Sequence, residues 1–174
     1  MAKIVVMGVA GSGKSVLAEY LGRKLGCETI EGDRLHLATS QEKMRNGIAL
    51  DDVDREPWLD RIGALLAHRR GDIVVSCSAL KRKYRDRIRS HAPGVRFVYL
   101  EIDVQTAARR VEARADHLFP HNLVTSQFAA LESPIGEAGV FTVSALLPTE
   151  GQVEATCGWL QEVAPELDAT RSVL

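Results

Sequence analysis

Residues 8–15, Gly8-Val9-Ala10-Gly11-Ser12-Gly13-Lys14-Ser15, follow the pattern G-x-x-x-x-G-K-[ST]. The residue types suit one task. Glycines let the backbone curl until successive N–H groups point inward at an anion. A helix opening directly behind the turn adds the positive end of its dipole. Lys14 brings a mobile charge for the β- and γ-phosphates, and the Ser15 hydroxyl is a ligand for Mg2+. The pattern implies a cradle for the phosphates of a nucleoside triphosphate. The plain alternative, a glycine-rich turn with an incidental lysine, is disfavoured by the apolar run before it and the helical spacing after it.

A cradle does not say what receives the phosphoryl group. Glu31-Gly32-Asp33 follows the second predicted strand. In a parallel sheet, strand C-termini face the ligand crevice, so Asp33 is expected beside the γ-phosphate, where it can accept a proton from an attacking hydroxyl or hold a metal-bound water. The alternative is a turn or helix-cap aspartate. From Asp33 to Trp58 the chain is dense in polar groups suited to a polyol or carboxylate: Arg34, His36, Lys43, Arg45, Asp52, Asp54 and Arg55. Taken singly, most read as solvated surface. Lys81 and Arg85, at i and i+4 of a basic helix, share a face and could clamp a carboxylate. Ser78, at a strand end, is a hydrogen-bond candidate. Of Arg109, Arg110 and Arg114, the pair Arg110 and Arg114 shares a face and is favoured for reaching a transferring phosphate. His117 could touch substrate or order its own loop.

Two nucleotide-using classes are disfavoured. There is no Asn-Lys-x-Asp signature of a guanine switch, and the third predicted strand ends in Ser76-Cys77-Ser78 without the carboxylate of a motor ATPase.

Alternating elements must hold these residues in place. Strands are predicted at Lys3–Gly8, Cys27–Glu31, Asp72–Cys77, Val95–Ile102 and Gly139–Ser144. Helices are predicted at Ser15–Leu25, Pro57–His68, Leu80–His91, Val104–Arg114, Ser126–Leu131 and Glu150–Val163. The alternation implies an α/β domain with a parallel sheet. Asp33–Asp54 reads as a polar segment with no element assigned, Asp116–Thr125 as a loop, and the tail from Pro165 as frayed. Trp58, Phe97, Phe128 and Trp159 read as core. The adenine site is not located; in this fold it often involves the loop after the last strand, here about 144–149.

The chain has 174 residues, with 22 Lys and Arg against 23 Asp and Glu. That length suits one domain with its own core. The balance gives no electrostatic reason for nonspecific binding to nucleic acid or an anionic membrane. No stretch approaches the roughly 20 apolar residues of a membrane span. The N-terminal run reads as a buried strand rather than a signal peptide. Cys27, Cys77 and Cys157 are too far apart for a zinc site and read as core residues. A reducing cytoplasmic setting is the default expectation.

Three blocks, taken together, are specific. Gly32-Asp33-Arg34-Leu35-His36 continues through Glu42-Lys43-Met44, Gly47, Leu50, Asp52, Asp54-Arg55 and Pro57-Trp58-Leu59. The second is Cys77-Ser78-Ala79-Leu80-Lys81-Arg82-Lys83-Tyr84-Arg85-Asp86, and the third is His117-Leu118-Phe119-Pro120 with Ser126-Gln127-Phe128 and Leu131-Glu132. With residues 8–15 they resemble the gluconate kinases from the start of the chain to about Pro134.

The resemblance implies a P-loop kinase of the nucleoside-monophosphate-kinase and shikimate-kinase type, with sheet order 2-3-1-4-5 and a mobile lid at about 114–125. It implies use of ATP and Mg2+ to phosphorylate the 6-hydroxyl of D-gluconate within gluconate utilisation. Lys14, Asp33, Arg110 and Arg114 would be catalytic. His36, Arg55, Ser78, Lys81, Arg85, His117 and Gln127 would join Asp33 on the acceptor side. A homodimer is plausible from the family alone. The sequence departs from the family's habit at Glu31 (aspartate), Leu37 (proline), Ser40 (asparagine), Ala49 (proline) and Leu118 (phenylalanine). These departures bear on acceptor preference more than on reaction type. Two alternatives fit the same residues: a kinase for another sugar acid or polyol such as shikimate, and a nucleotide-binding module without catalysis.

Overall fold

The sheet is layered by simple alternation along its central strands. In β1 (Lys3–Met7), Ile4 and Val6 face one side while Val5 and Met7 face the other, and all four are fully buried. Strand β3 (Ile73–Ser76) and strand β4 (Arg96–Glu101) flank β1 in parallel and repeat the division: Val74, Val98 and Leu100 on the first face, Ile73, Val75, Phe97 and Tyr99 on the second. A strand apolar on both sides needs helices on both sides. The first face is covered by α1 (Lys14–Leu25) and α7 (Thr149–Arg171), through Leu17, Leu21 and Val153. The second is covered by α3 (Asp52–His68) and α4 (Arg82–His91), through Trp58, Ile62, Leu66 and Ile88.

The computed structural model describes residues 1–46, 48–113 and 122–171, with the backbone alone for 122–123 and 164–171. Strands β2 (Glu28–Glu31) and β5 (Val140–Ser144) form the edges, and the all-parallel order is β2-β3-β1-β4-β5, as the resemblance implied. The connection from β1 leads to β2 on one side of the sheet, whereas β3 leads to β4 on the other. The order therefore reverses around β1, which opens a crevice at its C-terminal end. Helix α5 (Val104–Glu112) and helix α6 (Asn122–Ala130) lie beside that end. Among the described residues no helix is long and apolar enough to cross a membrane.

Four boundaries differ from the sequence expectation. The stretch after β2 is not without elements: a 3-10 turn spans Gly32–Leu35 and α2 spans Ala38–Arg45. Helix α3 starts at Asp52 rather than Pro57. Proline favours the first helical position, which suggested a start there. The start is instead set by a capping box: Asp51 accepts from the Asp54 N–H at 2.8 Å, and Asp54 accepts from the Asp51 N–H at 3.2 Å. Pro57 then removes a single intrahelical bond. Helix α6 begins at Asn122, inside the stretch expected as lid, and α7 continues to Arg171 through the expected frayed tail. Gly47, residues 114–121 (with Arg114, His117 and Leu118) and residues 172–174 lie outside the described residues.

The box does more than start a helix. Lys43 of α2 donates to Asp54 at 2.7 Å, and Ser40, which is buried, reaches the Asp54 carbonyl at 3.5 Å. One carboxylate thus caps α3 and fastens α2 to it. Replacing the cap, Asp51→Ala, should lower the unfolding free energy by about 1 kcal/mol, read by urea denaturation.

Candidate active site

The turn between β1 and α1 has the backbone that the glycine spacing requires. Gly8, Gly11 and Gly13 have φ of 153°, 80° and 96°. Gly11 is also hemmed in, because a Cβ there would stand 2.5 Å from the Ala107 carbonyl oxygen of α5. Gly13 is different: a Cβ there would meet nothing within 4 Å, and as N-cap of α1 it offers no side chain to the first N–H groups. The helix start therefore faces open space with its donors uncapped, as an anion site needs. Ser12 adds a buried hydroxyl with no hydrogen-bond partner.

Lys14 and Ser15 occupy the first turn of α1. The Ser15 hydroxyl donates to Glu31 Oε1 at 3.2 Å, and the Ser76 hydroxyl donates to the same oxygen. Sequence reasoning assigned Glu31 no role. Its position was legible all the same, because Glu31 and Ser76 are register partners at the ends of β2 and β3. One hydroxyl and one carboxylate, both hard oxygen ligands, suit a magnesium ion that shares its shell with phosphates.

Asp33 lies exposed in the 3-10 turn that follows β2. That turn runs tight over β3: a Cβ on Gly32 would fall 2.2 Å from the Ser76 carbonyl oxygen. The Gly32 carbonyl accepts the buried Trp58 indole N–H at 2.8 Å. On Trp58 lies His36, with ring centroids 4.1 Å apart and planes 15° from parallel. Trp58 is core, as expected, and it also supports the His36 ring. His36 is 4% exposed, and its Nδ1 has no partner within the protein. Burial pulls the His36 pKa below its ordinary value; the Asp33 charge opposes this and Arg55 adds to it. The ring is thus neutral at neutral pH, with one nitrogen free for a ligand.

Nearby, burial pushes the Cys77 thiol up to about 12, helped by the Asp33 charge and opposed by Lys14 and Arg55. Lys14, Asp33 and Arg55 lie near enough to Cys77, and Asp33 and Arg55 near enough to His36, for their charges to act there, so these residues share a neighbourhood by the C-terminal ends of β1, β2 and β3. The Arg55 Nε is held by the Leu50 carbonyl at 3.4 Å. Ser78 sits half-buried just beyond β3.

The basic helix needs correction. Lys81 is the extended N-cap of α4 rather than part of it, so it does not share a helical face with Arg85. Its Nζ donates to Asp52 at 2.9 Å; Lys83 donates to the other oxygen at 2.6 Å, and the Tyr84 hydroxyl also donates to Asp52. These three donors hold the Asp52 carboxyl far below the usual range. Arg85 is fully buried and directed away from any clamp. Its N–H groups go to the Ala79, Leu80 and Glu132 carbonyls and to both Glu137 oxygens. Sequence spacing could not show this, because the Glu132 carbonyl and the Glu137 carboxylate lie about fifty residues away.

Two expected residues touch the phosphate loop: Gln127, expected on the acceptor side, and Arg110, expected at the transferring phosphate. Gln127, from α6, accepts the Ala10 N–H at 2.6 Å. Arg110, from α5, donates to the Ala145 carbonyl at 2.9 Å and to the Gly11 and Ser12 carbonyls at 3.5 Å each. It braces the loop against the turn after β5.

Residues 4–134 match the family model described as an AAA domain. The chain is 43% identical over 150 residues to a probable gluconokinase of Schizosaccharomyces pombe, covering 80% of this chain and 78% of that one. It is 41% identical over 134 residues to the thermosensitive gluconokinase of Escherichia coli K12, covering 75% and 71%. A gluconokinase structure from Sinorhizobium meliloti 1021 superposes with a TM-score of 0.88 at 42% identity, covering 97% of each chain. A shikimate kinase from Aquifex aeolicus, with a TM-score of 0.63 at 16% identity over 93% of this chain and 98% of that one, shares the fold.

The buried neutral imidazole carries a pH signature. The unfolded chain takes up a proton at His36 near the ordinary imidazole value of 6.5, whereas the folded chain resists it. This contribution to stability is therefore complete above that pH and is lost as pH falls from it toward the lower folded pKa. His36→Phe keeps the stack on Trp58 and removes the titration. Its unfolding free energy should fall less steeply than wild type between pH 7 and about 5, measured by denaturant melts; equal slopes would contradict a buried neutral His36.

Proposed function

The chain belongs to the gluconokinase family, and on that footing we propose that it transfers the γ-phosphoryl group of ATP to the 6-hydroxyl of D-gluconate, giving 6-phospho-D-gluconate and ADP. One observation carries the reading. A glycine-lined anion cradle opens in front of α1, and the turn that carries Asp33 packs on the end of β3 beside it, with both Lys14 and Asp33 near enough to Cys77 to act on its thiol.

Each residue then has a physical task. Backbone amides of residues 8–15 and the Lys14 ammonium hold the triphosphate and offset its charge, which is most of what phosphoryl transfer asks of a protein. Ser15 and Glu31 would hold Mg2+, which supplies further neutralisation of the phosphate oxygens. Asp33 accepts the proton as the sugar-acid hydroxyl forms its bond to phosphorus and the bond to ADP breaks. His36 offers Nδ1 to a substrate hydroxyl. Arg55 suits the carboxylate, since a guanidinium can grip it with two parallel bonds. Ser78 stands at the same rim, while Lys81 acts there only through its hold on Asp52.

Arg110 exchanges its two long contacts at 3.5 Å for phosphate oxygens when nucleotide is bound, keeping Ala145. Gln127 holds the loop at Ala10. To Arg114 and His117 we assign the roles that the sequence suggests: charge at the transferring phosphate and a substrate contact. The three cysteines are free, which suits a reducing cytoplasm. A homodimer is the family-based expectation.

An ADP-release assay across a panel of sugar acids tests the substrate. Gluconate should give the highest kcat/KM, and turnover no higher than buffer, with another acid active, would overturn the assignment. Asp33→Asn should cut kcat by about 10²–10⁴-fold, the usual worth of a positioned base. Its ATP affinity, read by calorimetry, should stay close to wild type, and a parallel loss of both would contradict the role.

A further inference from the structure

Ala79 is the one non-glycine described residue with positive φ, at 43°, and it is fully buried. A side chain in that region is disfavoured and persists only where its surroundings hold it. It lies in the short link from β3 to α4, next to Ser78. The holding group is Arg85. Its Nη1 donates to the Ala79 carbonyl at 2.9 Å and to the Leu80 carbonyl at 3.0 Å. Its Nη2 donates to the Glu132 carbonyl at 3.0 Å and to Glu137, and its Nε donates to Glu137 at 3.0 Å. All five donors of a guanidinium are thus used. The Glu132 N–H also donates to the Leu80 carbonyl at 2.9 Å, and the Arg82 N–H to the Glu132 carboxylate at 2.6 Å. Glu132 follows closely on α6, the helix whose Gln127 receives the Ala10 N–H.

We propose that Arg85 is a positioning residue. It locks the 77–80 link in its left-handed bend, sets Ser78 against the acceptor, and ties that link to the helix that reaches the phosphate loop. The proposal rests on the sugar-acid kinase reading above. A lysine cannot replace the arginine, because a compact ammonium with three donors cannot serve three carbonyls and both oxygens of a carboxylate. The acceptor side should feel the loss before the nucleotide side does, since both carbonyls that Arg85 Nη1 holds belong to the 77–80 link.

The test compares Arg85→Lys, which keeps the charge opposite Glu137, with Arg85→Lys/Ala79→Gly, in which glycine adopts the bend unaided. Arg85→Lys should raise the KM for gluconate about tenfold, the equivalent of roughly 1.4 kcal/mol, with the KM for ATP changed less than about twofold. Adding Ala79→Gly should return the gluconate KM at least halfway on a logarithmic scale. A role confined to stability would instead lower the active fraction, leave both KM values alone and gain nothing from the glycine. An unchanged gluconate KM, or no recovery in the double variant, overturns the proposal. If Arg85→Lys yields no folded protein, Glu137→Gln is read in its place: a raised gluconate KM supports the clamp and an unchanged one overturns it. Should wild type prefer another acid, that acid replaces gluconate throughout, so failure of the substrate assignment stays separate from failure of the clamp.

Discussion

A row of backbone amides can face an anion only where the chain bends in a way that side chains forbid. The turn after β1 is built on that constraint. Gly8 and Gly11 are confined by close neighbours, so the loop has little freedom to rearrange, whereas Gly13 borders open space in front of α1. Everything else is arranged around this turn. The reversal of strand order about β1 places it in a crevice, α5 packs against Gly11, and the ends of β2 and β3 bring Glu31 and Ser76 alongside Ser15.

Hydrogen-bond accounting separates the residues that build the site from those that serve a ligand. A buried polar group without a partner is costly, so it is retained where something else supplies the partner. Arg85 has every donor occupied inside the protein and belongs to the framework. His36 is equally hidden and has a free nitrogen, held neutral by burial above the Trp58 ring. By the same measure Lys81 is committed to Asp52. In the proposed reading, direct contact with the acceptor falls to Asp33, His36 and Arg55, and the basic helix contributes through the framework that Arg85 holds.

Three of the five departures from family habit, Glu31, Leu37 and Ser40, fall where the fold can absorb them. Ser40 is buried and directed at the Asp54 carbonyl, and Leu37 forms the extended N-cap of α2. Glu31 keeps a carboxylate between two hydroxyls at the strand ends. None of these three removes a group from the junction of Lys14 and Asp33.

Local order was legible in the amino-acid string because it depends on near neighbours. The phosphate turn, the apolar central strands and the α1 stop at Gly26 all follow from spacing, and the motif blocks pointed to the sheet order and the chemistry. The α3 start was legible too, in Asp51 and Asp54, but the conspicuous Pro57 masked it. Contacts between distant segments were not legible. Arg85 and Lys81 lie four apart in sequence, yet one is a buried anchor for residues 132–137 and the other a cap tied to Asp52. Gln127 reaches Ala10 across 117 positions. Side-chain spacing sets which face of a helix a residue occupies, while only the packing of remote segments sets what waits on that face.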